Sequence, residues 1–290
     1  MTTTTGTSAP TSEWQLTRAR VGLPRLLWAE LRWIFRRPRT RVMLGLLAVI
    51  PVIIGIALTF ADGGPTGDAD PPVFVTLASS ALALPIGALT VLMSLLLPLA
   101  ITNSSGDALA GEQANGTLRG WLLAPVSRGR LLLVKAFGVA VVGLVAAGLV
   151  GTTGFLTGLV SNGTDGLITL SGTTLPLLDA LGRVAIAVGW VTVQLWALGA
   201  IALAISACTE HPMLVLATVL GGVIVSQLLL VFDSLSWLHP FLLPASWEAL
   251  INLVRDPIWW DGLGEGLVRA ACYLVIGLSL AYARIVTSDG

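Results

Sequence analysis

Six apolar stretches divide this chain: 42–60, 73–102, 131–160, 182–207, 213–232 and 263–285. Each is long enough to cross the hydrocarbon core of a bilayer as a helix, which takes about 20 apolar residues. Inside hydrocarbon, backbone N–H and C=O groups find partners only within a helix or a closed barrel, and runs this long predict helices. Composition agrees. Only 11% of the 290 residues are charged, where a soluble domain carries about a quarter, and the mean hydropathy is +0.87. A water-soluble fold could not hide that much apolar surface. Secreted disulfide scaffolds, disordered chains and ordinary soluble enzymes are excluded. The predicted class is an all-α membrane protein with six transmembrane helices, and no large catalytic domain fits in the remainder. Cys208 and Cys272 sit in separate apolar segments without metal spacing, and read as small buried apolar residues.

The rest of the chain organises around those spans. Residues 1–15 are polar and Thr-rich, a disordered cytosolic leader rather than a signal peptide. Residues 16–41 hold eight arginines interleaved with Leu23, Leu27, Leu31 and Ile34 at three- and four-residue spacing. That pattern predicts an amphipathic helix lying in the headgroup plane, ended by Arg36-Arg37-Pro38. The transmembrane unit covers 42–285, with Pro85 and Pro98 predicting a kink in the second span. It is interrupted by an inner polar loop at 103–132 and a Trp- and Pro-rich outer segment at 233–262, and a tail of 286–290 follows. With the N-terminus inside, 13 basic residues fall on inner segments and 3 on outer ones. The positive-inside rule therefore predicts both termini in the cytoplasm, and the single lysine among 16 basic residues suggests a bacterial source and hence its inner membrane.

Polar residues within the spans are sparse. Gln194, close to Trp190, and Gln227 stand out; they read as interhelical hydrogen bonders or as lining for a substrate path. Asp179 with Arg183, and Glu265 with Arg269, are spaced i,i+4 and are expected to pair near the outer face. Glu248 and Arg255 lie on the outer segment, which reads either as an aromatic belt or as the exit of a path. No chain of intramembrane acids is present, which counts against a proton-coupled carrier.

The inner loop carries the chemistry. Asp107–Ala114 reads as a short helix, Asn115-Gly116 as a break, and Thr117–Leu123 as a second helix stopped by Pro125. Ser127 is placed to N-cap the third span, with Arg128 and Arg130 at phosphate level. The string Glu112, Gly116-Thr117-Leu118, Leu122-Leu123, Pro125-Val126-Ser127-Arg128, Leu133 and Lys135 resembles the first cytoplasmic loop of type-2 ABC exporter permeases. Val134 stands where that family often has glycine, and Arg284 with Asp289 resembles family endings. The resemblance implies a coupling helix docked on an ATP-binding subunit. The contacts it implies are Asp107, Glu112, Gly116, Thr117, Arg119 and Arg128, with Glu210 in a second, smaller contact. It also implies an outer segment that dips back into the membrane. Trp190, Gln194, Gln227 and Glu248 are the candidates for the substrate path.

The chain has no Gly-x-x-x-x-Gly-Lys-Ser/Thr loop, and the resemblance implies ATP and Mg on a partner subunit, present in two copies. No catalytic residue, bound cofactor, metal site or nucleic-acid contact is expected in this chain. The expected function is outward movement of a hydrophobic or amphipathic substrate (a drug, lipid or peptide antibiotic) by alternating access. A second permease, identical or paralogous, would complete the pore. The alternatives are a secondary carrier working without ATP, and a membrane scaffold or assembly protein that moves nothing.

Overall fold

The computed structural model describes residues 22–60, 80–114, 127–163, 167 and 169–287. The expected leader, the outer loop after the first span and the second half of the inner loop, including Gly116, Thr117 and Arg119, lie outside the described residues. Everything described is helix or short connection. The order is α1 (Leu23–Arg36), α2 (Pro38–Phe60), α3 (Ala83–Met93), α4 (Leu96–Ala108), α5 (Ala110–Ala114), α6 (Arg128–Asn162), α7 (Leu177–Ser206), α8 (Pro212–Leu230) and α9 (Asp261–Thr287). Between α8 and α9 run two short 3₁₀ helices, Asp233–Phe241 and Leu243–Val254.

Helices α2, α6, α7, α8 and α9 are each long and apolar enough to cross a membrane, and α3 with α4, bent by 54° at their break, form either a broken sixth span or a re-entrant pair. Six spans were expected, and the bend explains why the second apolar stretch is too long for a straight one. Its position follows from Pro98, which sits three residues beyond the break at Ser94-Leu95. Proline lacks the N–H that would bond to the carbonyl four residues back, and its ring collides with that carbonyl. The group set free is the Ser94 carbonyl, and the Gln227 side-chain amide of α8 donates to it at 2.7 Å. Pro85 lies near the start of α3 and leaves it straight. Helix α4 runs through Asn103 to Ala108, so the inner connection begins later than the polarity of those residues suggests.

Pro38 separates α1 from α2 as expected. Arg37 before it is extended, at φ −66° and ψ 126°, and Pro38 opens the next helix. The buried face of α1 is Glu30 with Ile34, while Arg25, Arg32, Arg36 and Trp28 are exposed. Ser127 stands at the N-cap of α6, but its hydroxyl makes no capping bond; the first amides bond to its backbone carbonyl instead.

Helices α6 and α7 form the centre, and the flanking spans pack on them. One close backbone approach is α9 on α7 at Gly277, where a Cβ would stand 2.6 Å from the Ala200 carbonyl carbon. Backbone against backbone leaves no flexible side chain to yield. Gly277→Val should therefore lower stability by about 1–3 kcal/mol, the usual cost of overpacking, read as a drop in the detergent-solubilised unfolding temperature. An unchanged midpoint would mean that α9 is not seated this closely. Cys208 and Cys272, expected to be buried, are both exposed and unbonded.

Candidate functional site at the basic end of the bundle

The end of the bundle that carries α1, α5, the start of α6 and the end of α9 gathers most of the arginines. At its centre is Lys135, the chain's single lysine, which is completely buried on α6. Its Nζ donates to Glu30 of α1, at 3.0 Å and 3.1 Å to the two carboxylate oxygens. It also donates to Glu112 of α5. Both glutamates are only 5% exposed. The Trp33 ring lies 5.2 Å from the same ammonium. Burial pushes the Glu112 carboxyl above its ordinary value, and Lys135 beside it pulls the other way. Three elements distant in sequence are thus joined at one cation.

A second clamp lies beside it. Asp107, at the end of α4, accepts from Arg37 at 3.0 Å, and the Arg37 guanidinium lies over the Trp33 ring at 3.3 Å. Ser206 of α7 bridges the joint between α4 and α5, accepting from the Ala110 amide at 2.9 Å and donating to the Gly106 carbonyl at 3.2 Å. Helix α5 is therefore held by α6 through Glu112 and by α7 through Ser206.

The expected partner contacts fall differently from the surface residues that the loop's polarity suggests. Glu112 and Asp107 both pair within the chain, with Lys135 of α6 and with Arg37 at the end of α1. Arg128 caps the far end of α9, donating to the Ile285 and Val286 carbonyls at 3.1 Å and 2.7 Å, where a cation also meets the helix dipole. Glu210 is exposed on the turn between α7 and α8. Glu30 was missed. It is the one acid in an arginine-rich helix, one turn from Ile34 on the face that packs inward, and that placement is the signal that could have found it.

The candidates for a substrate path also hold helices together. Trp190 and Gln194 are buried, and they donate from α7 to the Leu263 and Gly266 carbonyls of α9 at 2.9 Å and 3.0 Å. Gln227 serves the bend, as described, and Glu248 is exposed on the second 3₁₀ helix. Removing the amide with Gln227→Leu leaves the Ser94 carbonyl without its donor, at about 1–3 kcal/mol. The measurable result is faster hydrogen exchange around Leu95–Leu99; unchanged exchange would dismiss Gln227 as the prop of the bend.

The predicted i,i+4 pairs at the opposite end are replaced. Arg183 turns from Asp179 to Asp256 at 3.1 Å, and also donates to the carbonyls of Leu253 and Arg255. Arg269 turns from Glu265 to the Pro240 carbonyl at 2.7 Å. In both cases a short helical segment brings carbonyls closer than the acid on the same helix.

A profile described as ABC-2 family transporter protein matches residues 25–253. The chain belongs to that family. No curated protein matches it. The matched range takes in every member of the buried cluster, Glu30, Glu112 and Lys135, together with Arg37 and Asp107. An ABC-2 permease is the membrane-spanning part of an ABC transporter, and the family implies association with an ABC ATP-binding subunit.

Proposed function

We propose that this permease is the membrane subunit of an ATP-driven exporter, moving a hydrophobic or amphipathic substrate out of a bacterial cell. The basic end faces the cytoplasm, as the distribution of arginine favours, and ATP with Mg is bound by a separate subunit in two copies. A second permease, identical or paralogous, completes the path between them.

The observation that carries the reading is the Glu30–Lys135–Glu112 cluster. It ties α1, α5 and α6 into one piece, so a push on the inner connection is delivered to the third span rather than absorbed by a loose loop. Residues Gly116, Thr117 and Arg119, with the exposed Glu210, remain the candidates for touching the ATP-binding subunit; Asp107, Glu112 and Arg128 act one step behind them by fixing the joint. Glu248 remains the candidate at the exit.

The test is reconstitution with the ATP-binding subunit in sealed inside-out vesicles. Uptake of hydrophobic fluorescent dyes and of labelled phospholipid should require ATP and both subunits. Uptake that proceeds without ATP, driven by an ion gradient, would replace this reading with that of a secondary carrier. A chain that binds no ATP-binding subunit would exclude the reading as well.

A further inference from the structure

A groove of about 600 Å³ runs along the basic half of the bundle, between α6 and α9 with α7 as its floor. It has a structural origin. Both outer helices press closely on α7, at Gly199 and Gly277, but the small residues Ala136 and Ala140 on α6 leave the space between them unfilled. The walls are Leu132, Phe137, Leu274 and Leu278, with Trp196 below them. Trp196 uses its indole N–H within the fold, donating to the Ala140 carbonyl at 2.9 Å. What remains polar in the lining is two hydroxyls, Ser279 and Tyr282, toward the basic end.

That end is also where positive charge collects. Tyr282 stands over Gly129, 3.3 Å from where a Cβ would be. Arg128 and Arg130 flank Gly129, and exposed Arg284 lies two residues beyond Tyr282. The lining helices carry no acidic side chain at this end; Asp179, Asp261 and Glu265 all sit at the other. An apolar slot that opens among arginines at headgroup level matches one kind of molecule, with a long hydrocarbon part and an anionic head.

We propose that the groove is a binding site for an anionic phospholipid, drawn from the leaflet at the basic end. One acyl chain lies along Phe137 and Leu278, and the phosphate sits among Arg128, Arg130 and Arg284. The lipid is a resident of the fold and not its cargo, so the site stands whether or not the chain exports anything.

The test uses the full chain in nanodiscs holding phosphatidylglycerol and phosphatidylcholine in equal amounts, with a photoreactive amino acid in place of Phe137, a side chain 37% exposed at the groove. Irradiation should attach phospholipid, with phosphatidylglycerol favoured by about tenfold. The Arg130→Gln, Arg284→Gln double variant should bring the two lipids close to parity. Ala140→Phe, which fills the slot, should also abolish the preference. Because Ala140→Phe alone could act by misfolding, the double variant is the decisive arm, judged against an unchanged unfolding temperature. Equal attachment of both lipids to the parent chain would overturn the proposal. So would a preference that survives the double variant. Cross-links joining two permease chains would show that the groove is a protein interface and would overturn it too.

Discussion

Replacing Lys135 with methionine should cost the fold about 3–5 kcal/mol, because it strands two carboxylates that are only 5% exposed. The loss would appear as poor yield and a much lower unfolding temperature. The informative comparison is the triple variant Glu30→Leu, Glu112→Leu, Lys135→Met. A buried ion cluster exchanged whole for apolar groups of similar size is often neutral in stability, so the triple variant should recover most of what the single one loses. If the triple variant is as unstable as Lys135→Met alone, the cluster is not the closed unit described above. A stable triple variant in which the partner's ATP turnover no longer drives transport would separate the cluster's mechanical role from its contribution to folding.

Arg183→Leu is the second large effect, at the opposite end. The guanidinium holds Asp256 and two backbone carbonyls of the outer segment at once, and its loss leaves those acceptors without a donor. About 2–3 kcal/mol should go from the docking of that segment. Hydrogen exchange should rise across Leu243–Val254 while α6 stays protected. Arg183→Lys should not restore protection, since an ammonium lacks the planar fork that reaches several acceptors together. Protection unchanged in both variants would remove Arg183 from any role in holding the segment.

The spans and the helix before them were legible in the sequence because their signals are local. A run of apolar residues announces itself over about 20 positions, and Pro38 ends α1 by sterics within its own dipeptide. The buried cluster has no such signal. Glu30 and Lys135 are 105 positions apart, and only the packing of α1 on α6 brings them together. Local spacing even misled at the outer face. Asp179 and Glu265 sit one turn from their arginines, yet the outer segment offers Asp256 and free carbonyls at better geometry. The bend was foreseen from prolines, but the donor that meets the carbonyl freed by Pro98 is Gln227, which lies on another helix. Ser127 shows the opposite error: the right residue at the right cap position, with its hydroxyl unused.

The cluster also bears on the order in which this protein is made. Glu30 leaves the ribosome more than a hundred residues before the lysine that it meets, and Glu112 follows 23 positions ahead of that lysine. Until Lys135 emerges, α1 has no anchor in the bundle beyond its junction with the first span, and both carboxylates remain in water. The pairs close only if the third span enters with Lys135 on the side where α1 and α5 wait. A span threaded the wrong way would carry its ammonium to the opposite face and leave both acids unmatched. The cluster can therefore close only once the third span has been made, more than a hundred residues after Glu30.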